Sequence, residues 1–427
     1  MVHYQSASKM IKTLQQFLQQ ARTAVQNNEP TLAVQHYKAL LSQSAGNDDP
    51  AVHEIRLRAL TQYGQLLGEL GDQEGALATF NQCYLEAGTS RQAVDALAFL
   101  GNQYSMMGQQ FKALEVNEEA LQLAIALNYT DGRARALMYR GWTQLSLGRA
   151  EEALTNLDKA QALFKQIDDN LGQMQSASRI GIVHMSEGAL DKAIVAFELS
   201  LTLSREIGNR ETAISLGNLG ECYQNLFDME KALIYHQEGF AIAERTQLQA
   251  VMTDLCRNLG VDLYYLGRTD DGLDYLHRAL SMSQGIERPD LLYQALYSLA
   301  LAEVEQGETA AARQHGQELK ALAEANNARG YLAYSLHILG LCHEKEGDLV
   351  SAEQAWQQAI FLAHETNWRV LLWQLHAALS RISANPALAE IHNQIAAEVI
   401  QQIIYPIEDE SLKQKFLSAP PVQAVLS

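Results

Sequence analysis

Proline and cysteine are scarce in this sequence, which has seven prolines and four cysteines in 427 residues. Few prolines, together with frequent Ala, Leu, Gln and Glu, favour helix over the other regular structures. The cysteines are scattered and form no CxxC pair: Cys83, Cys222, Cys256 and Cys342. We therefore predict small buried thiols in a reducing compartment, and neither disulfides nor metal ligands.

Basic residues are fewer than acidic ones: the sequence has 32 Lys and Arg and 50 Asp and Glu, and its net charge is −18. A uniformly basic surface, which binds phosphate backbones, is absent, so direct nucleic-acid binding is not expected. The sequence has no apolar run long enough to span a membrane. Its first residues, MVHYQSASKMIKTLQQFLQQ, lack the apolar core and cleavage site of a signal peptide. These features predict a cytoplasmic protein.

Catalytic motifs are missing as well: the sequence has no GxxxxGK[ST], GxGxxG, GxSxG or HExxH. His343-Glu344 and His364-Glu365 lack the second histidine of a zinc site. Asp168-Asp169 and Asp270-Asp271 fall at predicted helix boundaries, where capping explains them better than acid–base catalysis. We predict a non-enzyme with no cofactor and no metal, although an active site assembled across repeats stays an alternative.

What the sequence does contain is a repeat. A glycine followed five residues later by Ala, or once by Gly272, recurs every 37 to 40 residues. The series is Gly71, Gly108, Gly148, Gly188, Phe227 in place of glycine, Gly267, Gly307 and Gly347. A second series lies seven residues earlier: Gly64, Gly101, Gly141, Gly181, Gly220, Gly260, Ala300 and Gly340. The first is predicted to end helices in the left-handed conformation, and the second to allow close helix packing.

A period of this length is typical of a helical solenoid, in which each hairpin buries its apolar face against its neighbours. We predict helix pairs at about 7–44, 51–88, 91–126, 131–167, 170–206, 210–246, 250–284, 290–325 and 329–365. The first pair is degenerate, because Asn28–Pro30 replaces the turn glycine. After residue 366 the period fails, and we predict helices over Trp368–Ile382, Pro386–Ile404 and, as the last helix, Glu408–Leu417. The predicted domains are a cap (1–50), an array of about eight repeats (51–365) and capping helices with a tail (366–427).

The two glycine series, seven residues apart, resemble the pattern of the tetratricopeptide repeat. Leu100-Gly101 is followed by Tyr104, and Leu219-Gly220 by Tyr223, while Ala113 and Ala120 match the small positions of the second helix. The resemblance covers roughly residues 10 to 365 and implies an all-α fold, a right-handed superhelix of helical hairpins around a concave groove. Arg140 departs from the pattern, since an apolar residue is expected before Gly141. The closing proline of the repeat is missing too.

The 40-residue period is similar to that of kinesin light chains, Pins-type adaptors and the C-terminal arrays of bacterial signalling regulators. The final segment, ESLKQKFLSAPPVQAVL, resembles the end of such regulators, and here the array would stand alone. The resemblance implies a non-enzymatic scaffold that binds a peptide or partner domain in its groove. The alternative is a signal-responsive regulator that controls a partner ATPase, kinase or transcription factor in trans. The partner's identity and the oligomeric state are not predicted.

Three kinds of residue are candidates for the groove. Asparagine carboxamides offer both a donor and an acceptor to a peptide backbone, or make local hydrogen bonds on a helix surface. Arginines suit an acidic or C-terminal peptide segment, or form salt bridges within the array. Aromatic residues are partner anchors or inter-repeat packing. The predicted partner-binding residues are Asn102, Asn218, Asn258, Arg135, Arg179, Arg257, Tyr139, Trp142 and Tyr264.

Overall fold

The structure is a computed structural model that describes residues 2–27, 29–286, 288–366 and 369–427, with the backbone alone for residues 2–7 and 209. Its described residues form 22 α-helices and no strand. In chain order the helices are α1 (Val2–Gln26), α2 (Pro30–Gln43), α3 (Pro50–Glu69), α4 (Gln73–Ala87), α5 (Arg91–Met106), α6 (Gln110–Ala126), α7 (Thr130–Ser146), α8 (Ala150–Gln166), α9 (Asn170–Ser186), α10 (Leu190–Ile207), α11 (Asn209–Asn225), α12 (Met229–Arg245), α13 (Gln249–Tyr265), α14 (Thr269–Ser283), α15 (Pro289–Gln306), α16 (Thr309–Ala325), α17 (Arg329–Lys345), α18 (Leu349–Glu365), α19 (Arg369–Ile382), α20 (Pro386–Ile404), α21 (Glu410–Leu417) and α22 (Pro420–Leu426). The predicted all-α class is confirmed.

The nine predicted helix pairs correspond to α1–α2 through α17–α18. Asn28 and Trp368, which two of the predictions included, lie outside the described residues. The prediction that the helix ending at Leu417 is the last one is wrong, because α22 follows it. Two prolines open α22, and the first turn of a helix tolerates them since its amides have no partner within the helix.

The turn glycines adopt the predicted left-handed conformation. All seven, from Gly71 to Gly347, have φ between 72° and 87°. Phe227, which takes the glycine's place in one copy, has φ 59°. The other described non-glycine residues with positive φ are Asn128, Asp168, Gln247 and Asn327, whose side chains carry polar groups. A bulky aromatic residue in this region is a true outlier and carries backbone strain.

The second glycine series allows the close packing that was predicted. A Cβ atom built on Gly64 would lie 2.6 Å from the ring of Phe80, and one on Gly181 would lie 2.6 Å from Phe197. The residue that covers each glycine stands sixteen positions later in the sequence. In the seventh copy Ala300 stands in place of the glycine and Gly316 in place of the large residue. A glycine is therefore present at one of the two positions in every copy from Gly64 to Gly340.

The chain divides into two compact units, Met1–Ile180 (unit 1) and Gly181–Ser427 (unit 2). This division rests on contacts between residues in the structure. The predicted cap, array and capping segment rest on the repeat pattern of the sequence and stay a prediction. In unit 1, consecutive hairpins stack through buried residues such as Leu60, Phe80 and Leu97. All four cysteines are buried free thiols. No helix among the described residues is long and apolar enough to cross a membrane.

Unit 2 is closed by its own C-terminal helices. The Asp191 carboxylate of α10 accepts hydrogen bonds from the backbone amides of Glu408 and Asp409, at 2.6 and 3.2 Å. Lys192 pairs with Glu408 at 2.9 Å. Residues of α10–α12 and of α17–α22 share one buried apolar cluster. The end of the chain thus packs against the first hairpin of unit 2.

Candidate binding site

A cavity of about 350 Å³ lies inside unit 2. First helices of successive hairpins (α11, α13, α15 and α17) supply most of its wall, and α19 and α21 complete it. Its aromatic lining consists of Phe227, Tyr265, Tyr297, Tyr331, Tyr334, Trp373 and Phe416. Its principal polar lining consists of Glu221, Gln224, Asn225, Arg257, Gln294 and Gln374. We call this space the unit 2 cavity.

A smaller cavity of about 210 Å³ adjoins it and shares Asn225, Tyr334, Val370 and Phe416 with the first. Phe416 of α21 also packs on Phe227, with ring centroids 5.6 Å apart. Lys415 beside it pairs with Asp228 at 3.4 Å. Helix α21 therefore forms part of the wall of both cavities.

An ion pair lies in the wall of the unit 2 cavity. Arg257 is 9% exposed and donates a hydrogen bond of 2.9 Å to Asp254, three residues earlier on α13. Its guanidinium lies 3.8 Å from the carboxylate of Glu221 on α11. Burial raises the pKa of Glu221, while the nearby Arg257 acts in the opposite direction. For Arg257 the two carboxylates outweigh burial, so its pKa is raised and it stays charged.

A buried polar network supports this wall from behind. His236 and Asp262 are fully buried, and the His236 Nδ1 atom lies 2.6 Å from Asp262 Oδ2. Gln224 donates to the other oxygen of Asp262 at 2.7 Å and to the backbone carbonyl of Asn258 at 3.1 Å. Because α11, α12 and α13 each contribute one of these side chains, the network holds three helices in register and orients Gln224 at the cavity.

Of the residues predicted in unit 2, Arg257 lines the cavity, while Asn218, Asn258 and Tyr264 are not among its described lining residues. Asn258 is 1% exposed, and its carboxamide has no partner in the described part of the chain. Asn218 is half-buried. The Tyr264 hydroxyl donates to the Ala302 carbonyl at 3.3 Å, which is a contact between hairpins. Partner contact by these residues stays a prediction.

The structure brings four predicted residues together in unit 1. The Arg179 guanidinium lies 4.9 Å from the ring centroid of Trp142 and 5.4 Å from that of Tyr139. Arg135, on the same helix as both aromatic residues, donates hydrogen bonds of 2.9 Å to Asp131. Burial lowers the pKa of Arg179, and Tyr139 partly opposes this effect. Asn102, on α5, contacts Met106 of its own helix at 3.8 Å.

The sequence interpretation missed most of the unit 2 cavity. Trp373 and Phe416 lie beyond the periodic array, so no repeat position marked them. Tyr331 and Tyr334 sit on the first helix of the last repeat, where they resemble ordinary packing residues. One signal was available: Phe227 is the bulky exception in a series of turn glycines, and its ring lines the cavity.

Comparison with known proteins identifies the repeat. Family models described as tetratricopeptide repeat match residues 57–87, 172–245 and 257–327. A curated relative, tetratricopeptide repeat protein 29 of Trypanosoma brucei brucei, is 27% identical over 187 residues, which are 42% of this chain. The match covers 39% of that relative, so the chain spans about two fifths of its length.

Solved structures share the fold. A Rap protein complexed with Competence and Sporulation Factor matches with a TM-score of 0.59 at 13% identity, covering 83% of this chain and 98% of that one. The Rap conjugation gene regulator of plasmid pLS20, in complex with the Phr* peptide, matches with a TM-score of 0.52 at 17% identity, covering 83% and 95%. At these identities the likeness concerns the fold alone.

Proposed function

We propose that this chain, in which residues 57–87, 172–245 and 257–327 match tetratricopeptide-repeat models, is a non-enzymatic scaffold that binds a peptide or an extended segment of a partner in the unit 2 cavity. One observation carries the proposal: first helices of successive hairpins line a space of about 350 Å³ with tyrosine rings, side-chain amides and an ion pair. Its size and its mixed apolar and polar wall are those of ligand sites. Amide side chains hydrogen-bond to peptide groups, and aromatic rings supply contact area.

Backbone strain at Phe227 supports this location. A non-glycine residue in this region costs on the order of 1–3 kcal/mol, and seven other copies avoid the cost with glycine. The ring that this strain maintains lines the unit 2 cavity and contacts Phe416. Strained residues cluster at functional sites, so we assign Phe227 a role in the cavity and its closure.

A regulatory role in trans is the second candidate. Two neighbours in fold are described as bound to a factor or a peptide, and one of them is a gene regulator. In this chain Phe227, which lines the cavity, also packs on Phe416 of α21. A ligand in the cavity would thus act on the C-terminal helices, through which a partner ATPase, kinase or transcription factor would be controlled.

Unit 1 is proposed as a second contact surface, for an acidic or C-terminal segment of a partner. Arg179 stacks on Tyr139 and Trp142 and forms no salt bridge within the described residues. A carboxylate would pair with this guanidinium while its faces stay stacked. The buried free cysteines are consistent with a reducing, cytoplasmic location.

Replacing Phe227 by glycine tests the cavity assignment. A randomised pool of synthetic hexapeptides is passed over the immobilised full chain, and retained peptides are quantified by mass spectrometry. Because glycine adopts positive φ without strain, we expect Phe227→Gly to keep the fold and lose about tenfold or more of the retained peptide. Gln247→Gly is the matched control, since Gln247 has φ 55° but does not line the cavity in the described structure. Equal retention by wild type and Phe227→Gly would refute the cavity as the site.

A further inference from the structure

The one cation among the described residues that line the unit 2 cavity, Arg257, already has carboxylate partners. Two of the described residues that line it are charged, Glu221 and Arg257. The guanidinium of Arg257 is already paired with Asp254 at 2.9 Å and lies 3.8 Å from Glu221. The single cation described in this wall is thus already shared between two carboxyl groups. A ligand carboxylate approaching Arg257 would meet both of them.

Glu221 is the carboxylate that a ligand can reach. It lines the cavity and its side chain is 36% exposed. The 3.8 Å contact with Arg257 is longer than a hydrogen bond, and an ionised carboxylate accepts about four. Tyr331 and Tyr334 of α17 line the same space as Glu221. Rings beside a carboxylate favour a cation, because the ring face is negative.

Two buried N–H groups of residues in the wall lack a hydrogen-bond acceptor in the described part of the chain, which favours a ligand with carbonyl oxygens. Trp373 is 3% exposed, and its indole Nε1 has no hydrogen-bond partner among the described residues. The same holds for the Nε atom of Arg257. A buried donor left unpaired costs about 1–3 kcal/mol, and a carbonyl oxygen in the cavity would remove that cost.

We infer that the unit 2 cavity binds a peptide through a cationic group, a Lys or Arg side chain or a free N-terminal amine, that pairs with Glu221 beside the rings of Tyr331 and Tyr334. The inference rests on the proposed function and adds the chemical class of the ligand. It also reverses, for Arg257, the acidic partner expected from the sequence. The peptide's carbonyl oxygens accept from Trp373 and Arg257.

The test uses three hexapeptide pools that differ at one fixed position, held as Arg, citrulline or Glu, with uncharged residues elsewhere. Each pool is made with an acetylated and with a free N-terminus. On the immobilised wild-type chain we expect the Arg pool to be retained about tenfold more than its neutral isostere citrulline, and the Glu pool least. Glu221→Gln removes the preference for Arg over citrulline. Glu244→Gln, at a 54% exposed carboxylate paired with Arg278, keeps the preference.

The outcomes separate the two claims. If wild type retains none of the pools, the proposed function fails. If it retains the acetylated citrulline or Glu pool as well as the acetylated Arg pool, and shows no preference for free N-termini that depends on Glu221, binding stands and the cationic class is overturned. A preference for free over acetylated N-termini that Glu221→Gln abolishes supports the inference and assigns the cation to the terminal amine. The comparison of pools on wild type needs no variant, so it holds even if Glu221→Gln fails to fold.

Discussion

Replacing Gly64 by alanine should destabilise unit 1, although alanine is the better helix former. Gly64 lies within α3, under the ring of Phe80 on α4. The added Cβ would stand 2.6 Å from Cε1 of that ring and 2.9 Å from two further ring atoms. Phe80 is 2% exposed and stacks on Phe99, with centroids 5.4 Å apart. The ring therefore has no free space into which it can withdraw.

The expected loss follows from three terms. Overpacking a tight core costs about 1–3 kcal/mol, and disturbing the Phe80–Phe99 pair costs about 1 kcal/mol. Alanine regains about 1 kcal/mol over glycine in a helix interior. The net loss is about 2 kcal/mol. At Gly68, one turn further along α3, the nearest atom is the side-chain oxygen of Gln103 at 3.1 Å. A side-chain tip can shift, so Gly68→Ala should lie within about 0.5 kcal/mol of wild type or be more stable.

The free energy of unfolding of both variants is measured by urea denaturation, followed by far-UV circular dichroism. The variants Phe80→Leu and Gly64→Ala/Phe80→Leu complete a double-mutant cycle, whose coupling energy we expect to be favourable by about 1 kcal/mol because the shorter side chain makes room for the methyl group. A Gly64→Ala protein as stable as Gly68→Ala would show that the glycine is not needed for packing. The whole account of the second glycine series would then be wrong.

Two further predictions concern buried polar groups of unit 2. Asp262→Ala removes the buried carboxylate that His236 and Gln224 share and should cost about 3 kcal/mol or more by urea denaturation. Asp271→Ala, which breaks an exposed pair with Arg268, should cost under about 1 kcal/mol, and equal losses would contradict the role of the network. Burial lowers the pKa of His337 and of His376 to about 4, so both are neutral in the folded chain. Their contribution to stability is present above the unfolded pKa of about 6.5 and is lost as pH falls toward 4. The urea midpoint should drop over this window, less steeply in His376→Gln, and identical slopes would remove His376 from the explanation.

The helices could be predicted from the sequence because their signals are local. A turn glycine and a packing glycine mark every hairpin from α3 to α18, apart from Phe227 and Ala300, so the boundaries follow from the residues themselves. The closure of unit 2 could not be predicted in this way. Its contacts join residues such as Asp191 and Glu408, more than two hundred positions apart, and no periodicity relates them.

The partners of Arg257 could be predicted only in part from the sequence. Asp254 stands three residues before it, a spacing at which side chains on a helix meet. One of the two carboxylates that pair with Arg257 could therefore be predicted from the sequence. Glu221 comes from the preceding first helix, and its approach depends on how two hairpins stack. If the unit 2 cavity binds a cationic group, as inferred above, counting arginines on a predicted face overstates the attraction of this site for acidic partners.

The contacts of Glu408 and Asp409 with α10, and of α21 with the turn between α11 and α12, also restrict how many repeats unit 2 can contain. An open solenoid tolerates an added or deleted hairpin, because each repeat touches its neighbours alone. Here the rotations accumulated from α10 to α19 must bring Glu408 back to Asp191 and Phe416 back to Phe227. Inserting one more forty-residue hairpin would move these pairs apart, so the repeat number in this half of the chain is set by geometry.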